Sequence, residues 1–399
     1  MQLSIVNGAV FDGHGEDLTP ATVHIADGVV VSVGDDPPPA GADVLDARGG
    51  IVTPGLIDAH FHAYATGLDV LEIHATPLSY VALEGARRLG RALQRGFTTV
   101  RDPAGGDPGI ARAIETGVIR APRYLYTGPA LSQTGGHGDP RPGGVDLCAC
   151  GSHLNEVVDG VDAVRRAVRE RFRRGAHAIK LMTSGGVVSP SDPLRMPQYS
   201  PEEVRAATEE AARRGSYVAA HAYSPEAIVH SVENGVRSIE HGNLLDAPAA
   251  ELMARTGAYL VPTLAAYEAL ELRGAELGLA PVSQAKNREV LDAGRTAIEV
   301  AREAGVPIGW GSDLMGALED HQLAGMRLQC EVDGPLAVLR SATSVNAALL
   351  GRDDLGRVSP GAAADLLIFD GNPLEDAALL WSGRRTVISR GRRLGTEAS

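Results

Sequence analysis

Short apolar runs alternate with amphipathic segments through the middle of the chain. The amphipathic segments have the end signals of helices; Ser200-Pro201-Glu202-Glu203, for example, is a capping box with proline at the first helical position. Strands that alternate with helices are typical of parallel βα units, and eight such units predict an α/β fold closed as a (β/α)8 TIM barrel. The eight strand-like runs are residues 51–60, 97–102, 123–128, 177–182, 217–222, 238–243, 258–264 and 307–313.

The two ends of the chain have a different pattern. Short strand-like runs, such as residues 3–7 and 365–370, follow one another with Gly, Asp and Pro turns between them. Neither end is long enough to bury a core of its own. The pattern therefore predicts one small β-sandwich domain formed by residues 1–52 and 358–399, beside a barrel domain at residues 53–357.

Composition narrows the function classes. The chain has 399 residues and a net charge of −13, and an acidic surface argues against nucleic acid as a partner. No apolar run of about 18 residues is present and the first residues lack the pattern of a signal peptide, so we expect no membrane segment. Three cysteines are too few for a disulfide scaffold. We expect a cytoplasmic protein that forms a homo-oligomer.

Metal-ligand residue types occur where the predicted barrel strands end. In this fold the active site forms at the carboxyl ends of the strands. His60 and His62 are two residues apart on the first strand, so both point to the same side. A single His-x-His pair is weak support, but four further strand ends agree with it. They carry Lys180, His221, His241 and Asp313.

Lys180 stands within the apolar run 177–182. A buried lysine has an unfavourable desolvation energy unless it gains a partner or loses its charge. A neutral amine can react with carbon dioxide to form a carbamate, an anion whose two oxygens can bridge two cations. The alternatives are a lysine that extends to solvent, or one that pairs with Asp313. The assembled pattern favours the carbamate.

The motifs resemble those of the amidohydrolase superfamily, in its binuclear branch with a carboxylated lysine. Thr53-Pro54-Gly55-Leu56-Ile57-Asp58-Ala59-His60-Phe61-His62 is similar to the first-strand signature, and Gly361-Ala362-Ala363-Ala364-Asp365-Leu366 to the C-terminal turn. Three further segments resemble the imidazolonepropionase-like group, which includes Xaa-Pro dipeptidases, related carboxypeptidases and ochratoxin-cleaving amidases. They are residues 134–139, 179–186 and 221–227.

The resemblance implies two divalent cations. One site would take His60, His62, Lys180 and Asp313, and a more exposed site would take Lys180, His221 and His241. These nitrogen and oxygen ligands suit zinc, with iron or manganese as alternatives. Water between the two cations would ionise near neutral pH. Asp313 would accept its proton and pass it to the leaving amine.

Two further residues are candidates for contact with the substrate. His137 lies in a Gly-rich loop whose backbone can approach a ligand closely, although a surface histidine is the alternative. Tyr223 lies two residues after His221 and can share its face, although it can equally be a packed tyrosine. Arg195 and Arg237 are both open as partners for a substrate carboxylate.

Cys148-Ala149-Cys150 with His153 offers three of the four ligands that a zinc site usually needs. We therefore expect these residues to form a loop near the mouth of the active site rather than a second metal site.

The predicted function is hydrolysis of the amide bond of dipeptides or N-acyl amino acids. The predicted partner is a small molecule with a free carboxylate. Lactone or cyclic-amide hydrolysis is the alternative, because lactonases of the superfamily share the strand-four lysine. Deamination is disfavoured, since deaminases of the superfamily typically lack this lysine. A non-catalytic scaffold is disfavoured as well, because all six ligand positions are filled.

Overall fold

A computed structural model of the chain describes residues 2–141, 153–189 and 192–395. Cys148 and Cys150 lie outside these residues. The strands are β1 Gln2–Val10, β2 Thr19–Ala26, β3 Val29–Gly34, β4 Asp43–Asp46, β5 Ile51–Pro54, β6 Leu56–Asp58, β7 Phe97–Asp102, β8 Arg123–Tyr126, β9 Ala130–Ser132, β10 Asn155–Val157, β11 Ile179–Met182, β12 Val218–Ala222, β13 Ser238–His241, β14 Tyr259–Val261, β15 Leu366–Phe369, β16 Arg385–Ser389 and β17 Arg392–Arg393.

The helices lie mainly between the central strands. They are α1 Val70–Ala75, α2 Leu78–Gln94, α3 Pro108–Glu115, α4 Val161–Arg173, α5 Pro201–Ala212, α6 Pro225–Glu233, α7 Ala247–Thr256, α8 Leu264–Arg273, α9 Pro281–Leu291, α10 Ala293–Ala304, α11 Ala324–Arg340 and α12 Asn346–Leu349. The capping box predicted at Ser200 is present, with Ser200 and Glu203 bonded to each other's backbone N–H. None of the helices in the described ranges is both long and apolar enough to cross a bilayer.

Strands from both chain ends join in one eight-stranded sheet. Its order is β17-β16-β15-β5-β1-β2-β3, and β15 pairs antiparallel with β5 to connect the two ends. The sheet branches at β1, because residues 3–6 of that strand pair with β4 whereas residues 9–10 pair with β5. The two ends therefore share one sheet, as the pattern suggested. The predicted domain bounds and the sandwich architecture stay predictions.

The central strands form two parallel sheets. One has the order β6-β7-β8 and the other β10-β9-β11-β12-β13-β14. Seven of the eight predicted runs contain one of these strands. The sequence analysis missed β9, a strand of three residues that pairs with β11 at Leu131 and Leu181. The predicted α/β class is confirmed, and closure of the barrel stays a prediction.

The eighth predicted run, residues 307–313, is not a regular strand. Side chains bind several of its backbone groups in place of a neighbouring strand: Asn346 bonds to the N–H and C=O of Trp310, and Asp58 to the N–H of Ser312. Four backbone bonds nevertheless connect the segment to its neighbours. They join Leu260 to Pro307 and Gly309, Ala59 to Trp310, and Asp313 to His60.

Candidate metal centre and active-site cavity

All of the predicted site residues line one cavity of about 630 Å³. They come from widely separated parts of the sequence, and the parallel strands, the loops that follow them and residues 307–313 bring them together. The cavity thus collects the predicted metal ligands and both predicted substrate contacts. They are His60, His62, His137, Lys180, His221, Tyr223, His241 and Asp313.

His60, His62 and Asp313 form a compact cluster. One potential ligand atom from each lies within 4.8 Å of the others. Asp313 Oδ1 is 2.9 Å from His62 Nε2 and 3.4 Å from His60 Nε2. Two imidazoles and a carboxylate are a donor set that zinc accepts, so these three residues could hold a divalent cation.

His221 and His241 extend the cluster. The ring of His241 lies 5.0 Å from that of His60 and 4.6 Å from that of His221, between centroids. His241 Nδ1 is also 3.6 Å from Asp313 Oδ2. His241 and Asp313 both have left-handed backbone angles, with φ of 73° and 53°. Such conformations are unfavourable for residues other than glycine, and they concentrate at functional sites.

A buried ion pair beneath the cluster was missed by the sequence analysis. Arg101 Nη2 donates to both carboxylate oxygens of Glu240, at 2.7 Å each. Glu240 Oε2 in turn accepts a bond of 2.6 Å from His60 Nδ1. The sequence signal was present, because Glu240 directly precedes His241 at a strand end. Glu240 therefore orients a predicted ligand from behind.

Lys180 is 2% exposed and its Nζ has no hydrogen-bond partner among the described residues. Burial lowers the pKa of Lys180 to about 8, even though the nearby Glu240 carboxylate favours the charged form. The amine is therefore still mostly charged near neutral pH, but its minor neutral fraction is larger than that of an ordinary lysine. Neither alternative from the sequence is realised here, since the side chain is buried and no ion pair with Asp313 forms.

The protonation states of three other predicted ligands suit cation binding. Burial keeps the pKa of His60 and His221 well below the ordinary value and lowers the pKa of His241 to about 3. These imidazoles are neutral at pH 7, as metal ligands must be. His62 differs, because Asp102 and Asp313 outweigh burial and raise its pKa to about 9. The protonated, positively charged form of His62 is thus favoured beside the Asp313 carboxylate.

Asp313 is the carboxylate at the centre of this cluster. Burial alone would raise its pKa, but the electrostatic interactions with His60 and His241 and the hydrogen bond with His62 hold the pKa below its ordinary value. The side chain is therefore ionised at neutral pH. An ionised carboxylate can act both as a metal ligand and as a proton acceptor.

The loop that carries His137 is pinned against this cluster. The His137 ring stacks on that of His221, with centroids 4.2 Å apart. His137 Nδ1 is bonded to Ser189 Oγ at 3.0 Å and lies 3.6 Å from a carboxylate oxygen of Asp192. These contacts engage one ring nitrogen, so Nε2 is the nitrogen that can serve a ligand in the cavity.

A row of hydroxyl groups connects Tyr223 to His241. His241 Nδ1 is 2.8 Å from Thr263 Oγ1, and Thr263 Oγ1 donates to the Tyr267 hydroxyl at 3.2 Å. The hydroxyls of Tyr267 and Tyr223 are 3.0 Å apart. If each hydroxyl donates towards Tyr223, the Tyr223 hydroxyl is left to donate into the cavity. The sequence analysis did not identify Thr263 or Tyr267.

The two arginines considered from the sequence do not line the cavity. Arg195 is exposed and pairs with Glu289 at 3.2 Å, whereas Arg237 donates to the Ala348 carbonyl and lies over the Tyr217 ring. The arginine that lines the cavity is Arg141, which is bonded to both carboxylate oxygens of Asp139 at 2.7 and 2.6 Å.

The chain is similar to known proteins over nearly its whole length. Residues 51–394 match the model of a family described as the amidohydrolase family. Ochratoxinase of Aspergillus niger is 34% identical over 409 residues, covering 93% of this chain and 82% of that protein.

Solved structures give the same picture. A prolidase complexed with N-methylphosphonate-L-proline superposes with a TM-score of 0.96 at 43% identity, over 99% of both chains. A Xaa-Pro dipeptidase with bound methionine in the active site has a TM-score of 0.88 at 29% identity, over 99% of this chain and 100% of that one. The family resemblance that the sequence motifs indicated is thereby confirmed.

We predict that Glu240→Gln weakens zinc binding by about 10- to 100-fold, because the partner that orients His60 loses its charge. Competition with a chromogenic chelator measures the change. Glu210→Gln is the matched control, since Glu210 is also buried and bonded to arginines but lies on the outer helix α5. Equal zinc affinity in the wild type and in Glu240→Gln would show that the charge of Glu240 is not needed to orient His60.

Proposed function

Because the chain belongs to the amidohydrolase family and is a hydrolase acting on C–N bonds, we propose that it cleaves the amide bond of dipeptides or N-acyl amino acids. The observation that carries the proposal is the cavity that holds five imidazoles, Asp313 and the Lys180 Nζ, which has no partner among the described residues. The known activities of its relatives point the same way. We further propose that the two parallel sheets and residues 307–313 close into a (β/α)8 barrel.

The residues present fit two divalent cations. The cluster of His60, His62 and Asp313 offers three ligand atoms, and the buried amine of Lys180 has no hydrogen-bond partner within the described ranges. As a carbamate, Lys180 would be an anionic ligand for cations held by this cluster and by His221 and His241. When bound, the cations acidify a water molecule and polarise the scissile carbonyl group. Zinc suits these ligands, with iron or manganese as alternatives.

The proton transfers are assigned to Asp313. Its carboxylate is ionised, and its two oxygens face His62 and His241 at 2.9 and 3.6 Å. In the proposed reaction Asp313 accepts the proton of the attacking water and delivers it to the leaving amine nitrogen. The amine departs neutral, and the carboxyl and amino products leave the cavity.

Three side chains position the substrate in this proposal. His137 Nε2 and the Tyr223 hydroxyl donate to the oxygen of the scissile carbonyl or to the terminal carboxylate. Arg141 can bind the free carboxylate, because it is the arginine found in the described part of the cavity wall. A guanidinium matches a carboxylate in shape and charge. Arg141 would then exchange part of its contact with Asp139 for contact with the substrate.

We predict about two metal ions per chain and a carbamate on Lys180. The sequence contains two lysines, Lys180 and Lys286, so Lys286→Ala is the control for the metal content and the carbamate resonance. Lys180→Ala should lose most of the metal in elemental analysis and nearly all activity. It should also lose the carbamate resonance seen by NMR after equilibration with ¹³C-bicarbonate. Full metal content and activity in Lys180→Ala would refute the bridging role.

We predict that Asp313→Asn lowers kcat by about 10²- to 10⁴-fold, because asparagine keeps the shape of the side chain but cannot accept a proton. Steady-state kinetics at saturating metal measure the loss. Circular dichroism and metal analysis of the same samples separate this effect from misfolding or metal loss. A decrease of less than tenfold with full metal would place the proton acceptor on another residue.

We predict that Arg141→Met raises KM about 10- to 100-fold for substrates with a free carboxylate, since a charge-assisted hydrogen bond is worth roughly 1.5–3 kcal/mol. Carboxamide analogues should be poor substrates of both proteins, with similar KM values. Arg195→Met, outside the cavity, is the control. If the variant and the wild type discriminate equally between carboxylate and carboxamide, another residue binds this group.

A further inference from the structure

One wall of the cavity is apolar, and its side chains pack against one another. It is the inner surface of a hydrophobic cluster that also contains Tyr223 and Tyr267, so it begins directly beside the predicted metal ligands. Cavities of this size, about 630 Å³, accommodate ligands larger than a small dipeptide. The side chains of this apolar wall are Leu68, Val187, Leu270, Leu277, Leu279 and Leu318.

Each carboxylate of the described cavity wall already accepts hydrogen bonds or belongs to the ligand cluster. Asp313 belongs to the ligand cluster with His60 and His62. Asp139 is bonded to Arg141 and to a backbone N–H. Asp69 caps α1 through Oδ1, which accepts bonds of 2.9 and 3.1 Å from two backbone N–H groups. Among the described residues, the free α-ammonium of a dipeptide would therefore lose hydration in this cavity and would have to share a carboxylate that already accepts other hydrogen bonds.

From the apolar wall and this distribution of charge we propose that the acyl side of the substrate is uncharged and apolar. N-acyl amino acids with long or aromatic acyl groups are then better substrates than dipeptides with a free amino group. This inference rests on the proposed amide hydrolysis. The charged end of the substrate lies towards Arg141, and the acyl chain lies along the apolar wall.

An isosteric pair of substrates tests the charge preference directly. A glycyl and a propanoyl amide of the same amino acid have the same shape. The glycyl compound carries an ammonium group where the propanoyl compound carries a methyl group. The amino acid is the one released fastest in a screen of both substrate classes. We expect kcat/KM to be at least tenfold higher for the propanoyl compound. We also expect a rise of about fourfold per methylene from propanoyl to hexanoyl, as burial of each CH₂ favours binding.

The outcomes separate this inference from the proposed function. Equal or faster cleavage of the glycyl compound overturns the inference but leaves amide hydrolysis intact. If neither class of amide is cleaved by metal-loaded enzyme while lactones are, the proposed function fails and the inference fails with it. Asp69→Asn keeps the helix cap and tests whether the Asp69 carboxylate binds the ammonium group of the glycyl substrate. A selective loss of glycyl cleavage in this variant would place the ammonium at Asp69 and also overturn the inference.

A variant of the apolar wall tests where the acyl chain lies. Leu277 is only partly buried, so Leu277→Asp should fold and place a carboxylate in the wall. We compare kcat/KM for a 6-aminohexanoyl substrate with kcat/KM for the isosteric heptanoyl substrate. Leu277→Asp should raise this ratio at least tenfold. Leu272→Asp is the control, because Leu272 is 66% exposed on α8 and outside the cavity. If the ratio is the same in both variants, the acyl chain does not lie along this wall.

Discussion

The buried ion pair of Arg101 and Glu240 is the interaction on which the arrangement of the cavity depends. Arg101 belongs to the three-stranded sheet and Glu240 to the six-stranded one, so the pair joins the two parallel sheets through the interior. Burying both charges is unfavourable unless further hydrogen bonds satisfy them. Arg101 Nε meets this need at the Ala59 carbonyl, and Glu240 at His60 Nδ1. Because Nδ1 donates to Glu240, Nε2 is the nitrogen of His60 that faces Asp313 and can bind a cation.

The same buried network explains why Lys180 is suited to modification. Its Nζ lies beside Glu240, yet the carboxylate of Glu240 is already saturated by Arg101, His60 and Ser238. A lysine that is desolvated and left without a partner has a lowered pKa, and its neutral amine is the nucleophilic form. Carbamate formation would convert this unpaired amine into an anion. That anion could neutralise part of the charge that two cations bring to the floor of the cavity.

A periodic pattern locates strand ends, so the sequence could predict which side chains gather in the cavity. It could not predict features that depend on irregular backbone or on distant contacts. Glu240 was missed because strict alternation assigns adjacent residues to opposite faces. The left-handed backbone of His241 ends that alternation. Residues 307–313 were predicted to be a strand from their apolar character, whereas the Asn346 side chain replaces ladder bonds there. Arg141 was missed because only the folded chain shows which of its many arginines reaches the cavity.

Helix α8 links substrate specificity to the arrangement of the predicted catalytic groups. Thr263 immediately precedes this helix, and Tyr267 and Leu270 follow at spacings of four and three residues, which place all three on one side. Thr263 and Tyr267 connect His241 to Tyr223 through hydroxyl groups, while Leu270 belongs to the apolar wall. An acyl group that displaced this wall would therefore also displace the partners of Tyr223. In the proposed enzyme, acyl groups that fit the wall without moving α8 keep the carbonyl-binding hydroxyl in place. Selectivity should then be expressed in kcat as well as in KM, since only such groups preserve the arrangement needed in the transition state.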